Sequence, residues 1–211
     1  HQSIESTRAV RDKIKILVHN EPIKPKIFNN WAYPPSGRHP RTYKTFIYSD
    51  SRKVFIDLTV GLMLKSSQKG EYGFDIYCND RLILKNYKED HIGFRPGLLG
   101  SPHSSKAWFR GIVKITGSNT DMPWNSTKSG IDFSSSIASS LIDNMIKLSK
   151  PYIQLSRRLH TISEEEIAKY PNGKIEIVDL TDQERIELNP QDLPSLPPGR
   201  RSQAEVFLND N

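Results

Sequence analysis

Seven apolar residues, Ile137, Leu141, Met145, Leu148, Tyr152, Leu155 and Leu159, follow one another at intervals of 4, 4, 3, 4, 3 and 4. That is the repeat of one helical face. Such a stripe obliges the rest of the chain to supply an apolar surface of matching length, because an isolated amphipathic helix is marginal in water. Ser134, Ser135 and Ser136 offer N-cap hydroxyls ahead of it. Pro151 predicts a kink or a split, since it removes one backbone donor from the helix interior.

The matching surface lies upstream. Val54, Ile56, Leu58 and Val60 alternate with other residues over 53–64, which is the pattern of a strand with one buried face. Further strands are expected at 42–48, 72–78, 81–85 and 107–116, and Lys13–Val18 alternates in the same way. Asp50-Ser51 and Asn79-Asp80 read as hairpin turns, Asn and Asp tolerating positive φ there. Between Pro22 and Pro40 the chain is too rich in Pro and Asn for regular structure, and Phe28, Trp31 and Tyr33 are expected to pin it to the core. Strands followed by a helix predict an α+β fold, a mostly antiparallel sheet with helices on one face. The domain is expected to span 1–160, with its core at about 42–160 and an N-terminal strand and Pro-rich loop at 13–41. Residues 161–211, acidic and Pro-rich, read as a C-terminal segment or linker in which Lys174–Leu188 holds one or two short strands.

The chain has 211 residues, 36% apolar and 26% charged. A core of about 150 residues is within its means, and wholesale disorder is not expected. No run of about 18 apolar residues occurs, so no membrane-spanning helix is expected and a cytoplasmic setting is. The opening HQSIESTRAV has neither an initiator methionine nor a signal-peptide stretch, and the chain reads as a piece of something longer. One cysteine, Cys78, excludes an internal disulfide framework and favours a reducing compartment. Charge is uneven. Residues 1–160 carry 25 Lys/Arg against 13 Asp/Glu, a balance of +12, and residues 161–211 carry 5 against 11, a balance of −6. A basic body suits an anionic partner.

The six histidines show no paired metal-ligand spacing, and no metal site is expected. Cys78, mid-strand, reads as a small buried apolar residue. The glycine loop GFRPGLLGSPHSSK, 93–106, lacks a Gly-Lys-Ser/Thr step and a following helix, so it is no P-loop. It reads as a structural loop before an anion nest. Asn125-Ser126-Thr127 matches a glycosylation sequon and is taken as incidental. The segment MPWNSTKSGID, 122–132, stands apart. Lys128 lies among small polar residues on a loop just before the long helix, with Pro123 and Trp124 anchoring one side and Gly130 freeing the other. Such a loop holds an ammonium away from its own domain, where a phosphate on another can meet it.

CNDRLIL, a glycine loop, a strand, then MPWNSTKSGID and an amphipathic helix resemble the transducer domain of GHKL-type ATPases. That superfamily includes gyrase B, MutL, the topoisomerase VI B subunit, MORC proteins and the ninety-kilodalton chaperones. The nearest resemblance is to bacterial histidine-kinase-like (MORC-like) ATP-binding proteins, and it covers roughly residues 13–160. It implies a ribosomal-protein-like α+β fold with a left-handed βαβ crossover. It also implies that Lys128 senses the γ-phosphate of ATP held by a preceding domain, with Asn125, Ser126, Thr127, Ser129 and Gly130 shaping its loop. No Asp-x-Gly-x-Gly adenine box occurs in these residues. ATP and Mg2+ would therefore belong to an N-terminal ATP-binding domain outside this sequence, and the chain alone is not expected to turn over ATP. The expected role is to couple ATP binding and hydrolysis to conformational change or dimerisation. Two rivals stand beside it. One is a basic nucleic-acid-binding module, its surface interleaved with Trp31, Tyr33, Tyr43 and Trp108. The other is a passive homodimerisation scaffold.

Overall fold

The computed structural model describes residues 17–19, 21–22, 28–33, 39–49, 52–67, 70–160 and 175–179. Strands are numbered β1 (Leu17–Val18), β2 (Glu21–Pro22), β3 (Trp31–Ala32), β4 (Arg41–Ser49), β5 (Arg52–Met63), β6 (Gly73–Cys78), β7 (Arg81–Tyr87), β8 (Phe109–Thr116) and β9 (Glu176–Asp179). Among the described residues one α-helix, α1, runs from Ser136 to Leu159. β1 and β2 form a small hairpin of their own. The other seven strands build one sheet in the order β7-β6-β8-β5-β4-β9, with β3 added against β5. The class is α+β, and the sheet is mixed.

Antiparallel pairs dominate it, as the hairpin chemistry requires. β4 and β5 pair down to Ser49↔Arg52, so Asp50 and Ser51 alone join them. Asn79 and Asp80 have φ of 48° and 62°, the doubly left-handed pair that matches the twist of a two-residue hairpin. Two pairs are parallel, β6 with β8 and β4 with β9. Since β8 runs antiparallel to β5, and β5 to β4, strands β8, β4 and β9 share one direction. The passage from β8 through α1 to β9 is therefore a crossover between parallel strands. β9 lies within the segment read from sequence as a C-terminal linker, so the sheet extends past residue 160. The rest of 161–211, and the strand expected over 13–16, lie outside the described residues.

All seven stripe residues of α1 are buried, Met145 fully and Leu159 at 7% exposure. Ile137, Leu141, Met145, Leu148 and Tyr152 close on Val54, Ile56, Leu58, Val60, Val113 and Ile115, while Leu155 and Leu159 pack with Ala32, Leu62 and Trp108. Burying side chains of this size contributes roughly 1.5–3 kcal/mol each. Pro151 does not split the helix. Its missing donor costs about 3 kcal/mol, and it is buried together with Leu148 and Leu155, one on either side of it in the helix. Ser135 is the N-cap, its Oγ accepting from the Ala138 N–H at 3.2 Å. Trp31 pins the 28–33 segment as expected, at 3% exposure and with its ring edge-on to Phe28. Gly61 makes room for it, since a Cβ there would lie 2.8 Å from the indole.

Candidate functional site

The segment from Asp121 to Ser135 leaves the end of β8 and delivers the chain to α1. Its start is anchored rather than exposed. Asp121 accepts from Arg52 at 2.6 Å and from Ser49 Oγ at 3.3 Å, which ties it to the β4–β5 turn. Met122 is buried beside Gly117 and Val54. Asp121–Pro123 are thus buried, and an ion pair and a core contact repay that burial.

The tip is a closed hairpin. Trp124 bridges Ile131, the Asn125 N–H donates to Gly130 O at 2.9 Å, and the Asp132 N–H donates to Pro123 O at 2.8 Å. Inside it, the Asn125 carboxamide oxygen accepts from the Ser129 N–H at 2.9 Å, the Gly130 N–H at 3.3 Å and Thr127 Oγ1 at 3.1 Å. Thr127 and Ser129 hydroxyls lie 2.7 Å apart. Asn125, Thr127, Ser129 and Gly130 therefore converge on one knot, while Ser126 stays exposed on its rim. Gly130 is not the flexible position. A Cβ there would sit 3.1 Å from Asn125 Nδ2, so its smallness admits the carboxamide, and the left-handed residue is Lys128, at φ 53°.

Lys128 holds the apex. Its ammonium lies 4.6 Å from the centroid of the Trp124 ring, a cation–π contact. No carboxylate pairs with it among the described residues. The side chain is partly buried along the ring, with its charge at the loop's end.

The exit from the loop is coupled to α1. Asp132 Oδ1 accepts from Ser134 Oγ at 2.6 Å and from the Ser134 N–H at 3.0 Å. These two bonds, the side-chain one first, hold its carboxyl below the usual range. Ser135 Oγ donates to Asp132 O at 3.0 Å and then caps the helix. Phe133 stacks on Tyr87 with rings 9° apart and leans on His91. Tip, turn and helix start are thus one continuous hydrogen-bonded run.

Other expected features fall elsewhere. The 93–106 loop is a packing element: Ile92, Phe94 and Leu99 are buried, and a Cβ on Gly93 would lie 2.6 Å from Ile146 of α1. Lys106 is buried behind it, donating to Ser101 O, and desolvation and then Arg157 lower its pKa. Cys78 is fully buried, and burial pushes its thiol up to about 12. Trp31, Tyr43 and Trp108 belong to the core at 3%, 1% and 2% exposure, so they do not interleave a basic surface. Sequence reasoning missed the Arg110–Asp75 pair. Arg110, 6% exposed, donates to Asp75 Oδ2, to Asn86 Oδ1 and to Glu71 O, under the Phe28 ring. No local pattern signals it, because Asp75 and Arg110 come together only through the pairing of β6 with β8. Among the described residues no three His, Cys, Asp or Glu side chains could hold a metal ion, and no helix is long and apolar enough to cross a membrane. No protein-family model matches the chain, and no curated protein matches it.

Proposed function

We propose that this chain is the transducer part of a GHKL-type ATP-binding protein, and that Lys128 senses the γ-phosphate of ATP held by a preceding domain. The observation that carries this reading is the lysine at the apex of a self-braced loop whose exit is hydrogen-bonded into the N-cap of α1. The crossover from β8 through α1 to β9 supports it, being the kind of connection that the transducer resemblance implies. The finer fold assignment, a ribosomal-protein-like domain with a left-handed crossover, belongs to the proposal.

The residues present fit one contact to a phosphate. Lys128 supplies a compact charge with three donors, and Thr127 and Ser129 supply hydroxyls beside it. The adenine and Mg2+ contacts belong to the preceding domain. Bound ATP supplies the phosphoryl group and its transferable charge. Lys128 stabilises the charge that develops on the γ-phosphate oxygens, while the Asn125 knot fixes the backbone that presents it. Trp124 competes for the same ammonium. The loop therefore has two partners for one charge, and exchanging them displaces Asp132, Ser134 and the start of α1. The expected output is conformational change or dimerisation of a cytoplasmic ATPase.

The test is ATP turnover by the intact parent protein. Lys128→Ala is expected to lower it about ten- to a thousandfold, the loss of one charge-stabilising donor worth roughly 1.5–4 kcal/mol. Lys128→Arg should rescue poorly, because a planar fork does not replace a point charge. ATP affinity should fall less than turnover. Unchanged turnover in a folded alanine variant would remove the proposal.

A further inference from the structure

α1 covers one face of the sheet; the other face carries a different chemistry. The four large apolar side chains that stand exposed among the described residues are Tyr48 at 61%, Phe55 at 37%, Leu82 at 40% and Ile177 at 64%. All four are on the face turned away from α1. Phe55 lies between Val54 and Ile56, both buried in the core, so its side chain points the other way. Phe46 is its cross-strand partner, and Tyr48 lies two residues further on the same side. Ile177 pairs with Thr42, of the same parity. Tyr77 lies between core residues Ile76 and Cys78 and pairs with Leu82.

Lysines stand among these rings. Lys53 pairs with Tyr48, and its ammonium is 4.1 Å from the Phe46 centroid and 5.8 Å from that of Tyr48. Lys44, Asp57 and Lys114 form one row across β4, β5 and β8, next to Tyr77 of β6. The three lysines are exposed, and none is ion-paired among the described side chains. Asp57 lies between Lys44 and Lys114, and Asp179 of β9 is in register with Lys44 at the end of the row. Phe28 and Trp31 cover the opposite end of the face, over Arg110 and Gly61, so the open half is the half near the β4–β5 turn.

We infer that this open face binds single-stranded nucleic acid, bases stacking on Phe46, Tyr48 and Phe55 and phosphates meeting Lys44, Lys53 and Lys114. Open rings offer a stacking surface that every unpaired base can use, and adjacent lysines track the backbone. A duplex buries its bases and offers these rings nothing. A second copy would set the same lysines against each other across a two-fold axis. The inference stands apart from the nucleotide role of Lys128 and survives its failure.

The experiment is fluorescence anisotropy of the 211-residue chain with labelled oligothymidylate and oligouridylate of about 12 nucleotides and a duplex of equal length. Single strands are expected to bind more tightly than the duplex. Tyr48→Ala and Phe55→Ala, at exposed positions, should each weaken binding about 5- to 150-fold. Lys53→Gln and Lys114→Gln should each flatten the logarithmic salt dependence by about 0.7. Lys147→Gln, exposed on the opposite side of the sheet on α1, should leave binding unchanged. Circular dichroism melting confirms that each variant is folded. Equal binding of duplex and single strand would overturn the inference, as would wild-type affinity in the folded Tyr48→Ala/Phe55→Ala double variant. So would a monomer–dimer equilibrium that the same substitutions shift while oligonucleotide binding stays constant.

Discussion

Lys128 has a φ of 53°, a backbone conformation that costs a residue with a Cβ about 1–2 kcal/mol. Replacing it by alanine and by glycine separates that strain from the side chain's own contact. Alanine keeps the Cβ and loses the ring contact to Trp124, worth about 0.5–1 kcal/mol at an exposed site. Glycine loses the same contact and is relieved of the strain, less about 0.4–1 kcal/mol for the greater freedom of its unfolded chain. The glycine variant should therefore match the parent closely, and the alanine variant should fall below both by about 0.5–1 kcal/mol. In a chain of this size that is a gap of roughly 1–4 °C in melting temperature. Exposed Lys147 within α1 gives the opposite order, glycine about 1 kcal/mol worse than alanine. Thermal melting of the four variants reads both signs at once. Alanine at 128 as stable as glycine, or more so, would show that the apex is not held left-handed and that the Asn125 knot does not set the loop.

Asp75→Asn leaves the buried Arg110 guanidinium without its counter-charge. Asn86 and Glu71 still accept from it, which puts the loss at the lower end of the range for broken buried pairs, about 3 kcal/mol or roughly 6–12 °C. An Asp75→Leu/Arg110→Met double variant should recover most of it, as near-ultraviolet circular dichroism melting will show. Cys78 should resist alkylation in the native protein at pH 8 and react fully in denaturant. Its thiol pKa is raised from 9.0 to about 12 by burial, so above pH 9 the unfolded chain loses a proton that the folded chain keeps. Stability should fall from pH 9 towards pH 12, and a Cys78→Ala variant should lose that part of the slope.

Periodicity made the framework legible. The stripe of α1, the alternation on β5 and the Asn79-Asp80 turn are local patterns, and local patterns survive in a sequence read alone. Pairing does not. Nothing local says that β8 inserts between β6 and β5, making β6–β8 parallel, because the residues that face the helix look the same in either order. The aromatic residues were sorted wrongly for a related reason. Trp31, Tyr43 and Trp108 are no more apolar than Phe46, Tyr48 and Phe55, and only strand parity and the helix's position decide which set is covered. Gly61 and Gly111 held the missing information, since each marks a place where a ring, of Trp31 or Phe74, lies against bare backbone. In the loop, residue types pointed to Lys128, but the division of labour between Lys128 and Gly130 depends on a φ angle that no composition reveals.

The parallel pairing of β4 with β9 fixes an order of events in folding. Arg41 meets Glu176 across most of the chain, a closure that costs about 4.3 kcal/mol in chain entropy if made directly. Four ladder positions repay little of that. Once α1 has docked on the hairpins, only the stretch from His160 to Ile175 remains to be closed, and the cost drops to about 2.4 kcal/mol. The hairpins β4–β5 and β6–β7 need only short closures and form first. α1 follows, because its stripe has nothing to bury against until Val54, Ile56, Leu58 and Val113 share a face. β9 comes last and leaves first, which makes the edge of this sheet an element whose presence reports that the helix is seated.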